Sequence, residues 1–109
     1  MATFFRNEVV KNVGTLPVKV IETNATQRAT VIGLSFTNLT DKFVYVNVEL
    51  QSQDSARGFY LKDSILPSGT SLRALSTCEK LILSSNNAMY VSSSLDDSVD
   101  VIISYVEIT

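Results

Sequence analysis

Residues 42–51, "KFVYVNVELQ", alternate without a break: Val44, Val46, Val48 and Leu50 fall on one side, and Tyr45, Asn47, Glu49 and Gln51 on the other. A period of two is the side-chain repeat of a β-strand with one face buried and one face wet. Composition extends this reading to the whole chain. Val, Ile and Thr supply 13, 7 and 10 of the 109 residues, against 6 Ala. β-Branched side chains lose rotamer freedom in a helix and pack well on a pleated surface. The chain is built for strands.

A second such segment, "ATVIGLSFTN", is predicted to place Thr30, Ile32, Leu34 and Phe36 on one face, with Ser35 and Thr37 opposite. The polar "NLTDK" between these two segments predicts an antiparallel hairpin. Further strands are expected near 7–13, 16–23, 57–63, 70–75, 80–83, 88–94 and 99–108, separated by the turn-rich "VGTLP", "TNATQ", "QDSARG", "LPSGT", "SSNN" and "SLDDS". Leu72, Leu75 and Cys78 recur at three-residue spacing, so a short helix competes there, although Ser76-Thr77 favours turn or strand. Short strands at this spacing predict an all-β fold. We expect a single-domain antiparallel β-sandwich, Ig-like or jelly-roll-like, over residues 15–109, with residues 1–14 as an N-terminal arm or first strand.

The last segment, "VDVIISYVEI", breaks the rule of one wet face. Val99, Val101, Ile103 and Tyr105 alternate, yet Ile102, Val106 and Ile108 are apolar on the other side. A strand in the middle of the domain with a covered outer face is expected. The cover is either the N-terminal segment, with Phe4 and Phe5 near its start, or a neighbouring subunit.

Chemistry is hard to place in this chain. It has no histidine, so a Ser-His-Asp or Cys-His arrangement is excluded. The lone Cys78 has no partner for a disulfide or a zinc site and reads as an apolar filler. Asp96, Asp97 and Asp100 lack the spacing of a calcium loop and are expected in a solvated turn. Asp54 and Arg57 read as a loop pair. The "LPSGTS" stretch has one Gly and no following Lys, unlike a phosphate cradle. It is expected to be a corner, with Pro67 presetting the first central turn position and Gly69 supplying a permissive φ. A net charge of -2 gives no pull on nucleic acid or anionic lipid, and no apolar run reaches the roughly 18 residues of a membrane helix. Residues 1–10 lack a signal-peptide pattern, so a soluble protein made in a cytoplasm is expected, and the Asn24-Ala25-Thr26 and Asn38-Leu39-Thr40 triplets read as loop chemistry. Tyr45, Tyr60, Tyr90 and Tyr105 are spread over separate strands and are expected to pack on sheets; a sugar-stacking platform is the alternative.

Over residues 15–109 the order of motifs resembles small β-sandwich virion proteins of tailed bacteriophages, especially cyanophage-like marine phages. The matching pieces are "TLPVKVIETNATQRATVIGLSFTNLTDKFVYVNVEL", the corner "YLKDSILPSGTSLRAL" and the ending "KLILSSNNAMYVSSSLDDSVDVIISYVEIT". The chain departs from them at "SSNNAM", where such proteins often carry Gly-Asp, and residues 1–14 have no clear match. The resemblance implies a non-catalytic virion protein without a cofactor or metal, acting as capsid decoration, neck or tail component. Its partners would be other virion proteins and further copies of itself, a trimer among the forms expected. Phe4, Phe5, Ile102, Val106 and Ile108 are the candidate interface residues. A carbohydrate- or receptor-binding module is the alternative.

Overall fold

The computed structural model describes residues 2–73 and 80–109. Cys78, and parts of the strand expected at 70–75 and of the rival helix, lie outside them. Nine strands are present among the described residues: β1 (Thr3–Val13), β2 (Val18–Glu22), β3 (Arg28–Asn38), β4 (Val44–Gln51), β5 (Arg57–Leu66), β6 (Ser71–Arg73), β7 (Leu81–Leu83), β8 (Ala88–Ser93) and β9 (Val99–Ile108).

Two antiparallel sheets face each other. One has the order β1-β9-β3-β6, with β7 also on β3, and the other the order β2-β8-β4-β5. The pairs β1–β9, β2–β8, β3–β6, β3–β7 and β4–β5 nest inside one another like the two arms of a long ribbon. The ribbon then wraps, so that β9 also meets β3 and β8 also meets β4. That winding is a jelly roll, one of the two sandwich forms expected.

The hairpin expected between residues 29–38 and 42–51 does not form: β3 and β4 lie in opposite sheets. The reason is local. Asn38 is buried, and its Nδ2 donates to the carbonyls of Lys42 (2.7 Å) and Leu66 (3.0 Å). Its Oδ1 accepts from Thr40 N–H and the Thr40 hydroxyl, both at 2.8 Å. This Asx turn steers the chain across the sandwich instead of back along the same sheet. The apolar sides of both strands then meet across the core, with Leu34 and Phe36 on one layer and Val44, Val46 and Val48 on the other. The hairpin is formed by β4 and β5, closed by Ser52 N–H on the Ala56 carbonyl at 2.8 Å.

The face assignment in β3 also changes partway. Ala29 and Val31 are buried, but so are Leu34 and Phe36, while Ile32 points outward. The register against β9 shifts between Val31 and Gly33. A bulge adds one residue there, so the inward set switches from odd to even numbers. Periodicity alone had grouped Ile32 with Leu34 and Phe36.

β9 lies between β1 and β3, with Val99, Val101, Ile103 and Tyr105 in the core. Each such side chain removed from water stabilises the fold by about 1.5–3 kcal/mol. At one end of the sandwich, buried Ser93 and Ser98 hydroxyls meet at 2.7 Å, while Ser98 N–H bonds the Val13 carbonyl at 3.1 Å. These contacts fasten β1 to the loop that precedes β9.

Candidate interaction surface

Side chains alternate across β9, so the residues left over by the core define its other face. Register builds this surface strand by strand. On β9, Ile108, Val106, Ser104 and Ile102 lie opposite Thr3, Phe5, Asn7 and Val9 of β1. On the far side Thr30 follows Val106 and Ile82 of β7 follows Thr30. The bulge adds Ile32. The result is an apolar stripe on the outer face of the five-stranded sheet, with Phe5 81%, Ile82 65%, Val9 59%, Ile102 48% and Ile32 47% exposed. Separate exposed apolar side chains are ordinary, but a contiguous set on one flat sheet face marks a contact surface.

The N-terminal segment does not cover β9, as one of the two expectations had it. β1 hydrogen-bonds along the edge of β9 and extends the sheet sideways. Its odd-numbered residues widen the apolar face instead of hiding it. Of the five residues singled out from sequence, Phe5, Ile102, Val106 and Ile108 share this face. Phe4 lies opposite Glu107 on the other side of the sheet, with the Arg6 guanidinium 4.9 Å from its ring centre. Val9, Ile32 and Ile82 were missed. Val9 carries a signal in the Val9-Val10 pair, which puts an apolar residue on each face. Ile32 carries none, because its exposure depends on the bulge.

The outer face of the four-stranded sheet is chemically different. Tyr45 packs edge-on against Phe43, with ring centres 5.7 Å apart. Arg57 lies 4.1 Å from the centre of the Tyr90 ring and is paired with Glu49 at 3.3 Å. Lys62 lies 4.4 Å from the Phe59 ring. Arg57 therefore pairs with Glu49 and not with Asp54, as the loop reading had it. Asp54 instead accepts the Ser52 hydroxyl and Ala56 N–H.

The acidic cluster holds loops. Asp96 accepts from Thr15 N–H at 3.0 Å and the Thr15 hydroxyl at 2.9 Å, and Asp100 accepts from Asn12 N–H at 3.0 Å. A Cβ at Gly14 would lie 2.7 Å from Asp96 Oδ1 and 3.1 Å from its Cα, so a larger residue would displace this carboxylate where the β1–β2 turn crosses it. The Thr15 bonds favour the ionised form and hold the Asp96 carboxyl below the usual carboxylate range. A depressed folded-state pKa contributes stability above the unfolded value, near 3.8, and that contribution disappears as pH falls through the folded-state value. Asp96→Ala should therefore melt at a lower temperature than wild type at pH 7. The gap between the two melting curves should begin to narrow below about pH 3.8 and go on narrowing as pH falls through the folded-state value; a gap that stays constant as pH falls would mean Asp96 acts by packing instead.

"LPSGTS" is a corner, with one change of position. Thr70 N–H bonds the Pro67 carbonyl at 3.3 Å, which makes Pro67 the first turn residue, and Ser68 and Gly69 (φ 65°) the central pair. The register is set from outside the turn: Ser68 Oγ donates to the Thr40 carbonyl and Asn38 N–H to the Thr70 carbonyl. Both Asn-x-Thr triplets are folded into turns, since Asn24 Oδ1 accepts from Thr26 N–H as Asn38 does from Thr40.

Among the described residues, no group of three His, Cys, Asp or Glu side chains could hold a metal, and every buried side-chain polar atom has a partner. No helix among them is long and apolar enough to cross a membrane. The arrangement is a two-layer body with an exposed apolar face on its larger sheet.

No protein-family model matches the chain, and no curated protein matches it. Solved structures do. The chain is similar to a chain of Bacillus endospore appendages, described as a family of disulfide-linked pili, with TM-score 0.59 and 7% identity over 98% of this chain and 88% of that one. It is also similar to a chain of the T13 IBDV viral particle, with TM-score 0.52 and 10% identity over 96% of this chain and 30% of that one. At such identities the likeness is one of fold, and fold alone does not assign a role.

Proposed function

We propose that this chain is a non-catalytic structural protein of a bacteriophage virion, acting as capsid decoration, neck or tail component and binding other virion proteins and further copies of itself. The observation that carries the reading is the exposed apolar stripe of Phe5, Val9, Ile32, Ile82 and Ile102 on a jelly roll whose buried side-chain polar atoms, among the described residues, all have partners. Assembly proteins need a stiff module with one surface used many times, and this face supplies it. Two things support the reading from outside the site. The structures that share the fold come from a pilus and a viral particle, and the motif order over residues 15–109 resembles tailed-phage virion proteins.

The glycan-binding alternative needs an open aromatic face. Tyr90 and Phe59 already carry Arg57 and Lys62 over their rings, so a sugar would have to displace a cation from each.

Mass spectrometry of purified phage particles, with heads and tails separated, is the direct test. Peptides of this chain should appear in one fraction at a fixed ratio to a known structural protein. Their absence from washed particles, together with specific binding on a glycan array, would replace this reading with the adhesive one.

A further inference from the structure

We infer that β1 is a self-pairing edge: two copies join antiparallel through β1, with Asn7 on the two-fold axis, into one continuous sheet. The inference rests on the assembly role proposed above and names one of its partners, a second copy.

β1 is the outer strand of the five-stranded sheet and among the described residues pairs with β9 alone. Its pairing is regular from Thr3 to Val10, with the first irregularity between Val10 and Val13. The other edges are blunted. Among the described residues β6 and β7 have three each and β2 has five. β5 is long, but its register against β4 shifts twice and Asp63 adopts φ 50°. Short, bulged or twisted edges resist further pairing, whereas a long regular edge accepts it.

Main-chain parity narrows the register. Ala2 and Thr109 exchange N–H···O=C bonds of 3.1 and 3.0 Å. Alternation along an antiparallel ladder then turns the main-chain groups of even residues toward β9 and those of Thr3, Phe5, Asn7 and Val9 away from it. A second β1 must therefore pair odd residues with odd. Centring on Asn7 satisfies this: Asn7 faces Asn7, Phe5 faces Val9, and Thr3 faces Lys11. Between them, Arg6 faces Glu8 and Phe4 faces Val10. Moving the centre by one residue either way keeps the parity but opposes Arg6 to Arg6 or Glu8 to Glu8, and like charges directly opposite are destabilising. Only the Asn7-centred register sets opposite charges together and apolar residues together along the strand. Glu8 has no salt bridge among the described residues, while Arg6 holds Glu107 through Nε at 2.9 Å, so the partner's Glu8 would share the guanidinium with Glu107 through its remaining N–H groups. The Phe5–Val9 contact also lies on the apolar face, so the stripes of the two copies merge into one surface.

Sedimentation velocity of the full chain tests this. Wild type should be a dimer at tens of micromolar. Glu8→Arg places like charges opposite each other at two symmetry-related positions and should weaken the dimer by about tenfold or more. Asn7→Pro removes an N–H that points away from β9, which an edge strand tolerates, and should leave a folded monomer. Asn7→Cys in a Cys78→Ser background should form a disulfide dimer on mild oxidation, because paired Cα atoms at the axis stand about 5.5 Å apart. A wild-type monomer or trimer would overturn the inference. So would a Glu8→Arg chain as dimeric as wild type, the decisive result should Asn7→Pro fail to fold. A dimer formed by a chain missing from virions would instead spare this inference and end the proposed role; a monomer found in virions would do the reverse.

Discussion

Asn38→Asp should lower the unfolding free energy by about 4 kcal/mol at pH 7, the largest loss expected from any single isosteric change in this chain. Asn38 uses every polar atom of its side chain: Nδ2 donates to the carbonyls of Lys42 and Leu66, and Oδ1 accepts twice from Thr40. A carboxylate has the same shape but no donor, so one oxygen would face two carbonyl oxygens inside the protein. The Leu66 carbonyl loses its Asn38 donor and the Lys42 carbonyl keeps only the Thr40 hydroxyl, 2.9 Å away; at about 1–3 kcal/mol for each lost bond, plus a poorly solvated charge, these give the expected size. The sign of the pH dependence follows. Protonation restores one donor, so the carboxyl of the variant has a raised folded-state pKa. Its penalty is greatest at neutral pH and shrinks as pH falls toward that pKa. Urea unfolding at pH 7 and at pH 5 measures both. A loss under about 1 kcal/mol would show that the crossing between sheets is held by the core and not by this turn.

Ile32→Lys combined with Ile102→Lys should abolish association with particles while leaving the fold in place. Both side chains are about half exposed on the outer face and neither belongs to β1, although Ile102 lies opposite Val9 of that strand. Surface changes of this kind alter stability by about 0.5 kcal/mol each. At an interface each isoleucine removed from water contributes about 1.5–3 kcal/mol, so losing both should reduce affinity for the particle by at least about a hundredfold. Quantitative mass spectrometry of particles grown with the variant reads this out, and thermal melting reads the fold. Normal copy number with both lysines present would remove the apolar face from the contact. Because neither residue lies on β1, self-pairing through that strand should survive the double variant. The main-chain edge and the apolar face are therefore separable by mutation, although they adjoin at Val9.

β1 also bears on how truncation experiments are interpreted. Read as an arm, residues 1–12 could be removed with more effect on assembly than on stability. With β1 paired to β9 from Thr3 to Val13, removal strips one whole edge from the larger sheet. Stability and assembly should fall together, so point changes on β1 are the sharper tool.

The strand at residues 44–51 was legible because its alternation, buried Val44, Val46 and Val48 against exposed Tyr45, is a property of neighbouring residues. The two-faced pattern of β9 was legible for the same reason, and it led to the candidate surface. Ile32 was not legible: one extra residue in β3 reversed its face, and a bulge answers to the partner strand, not to local preference. Arg57 joined Glu49 across β4–β5 rather than nearby Asp54, because cross-strand proximity outweighed closeness in sequence.

By itself, then, the chain's order of residues determined that strands would form, where most of them lie, and which side is apolar in residues 44–51 and 99–105. These are consequences of backbone geometry and side-chain shape within a few residues. Tertiary structure decided that β3 and β4 face each other across the core, that β1 extends the sheet beside β9, and which main-chain groups remain unpaired along that edge. The physical reason is that ladder hydrogen bonds use the backbone, which is alike in every residue, between segments such as β1 and β9 at opposite ends of the chain.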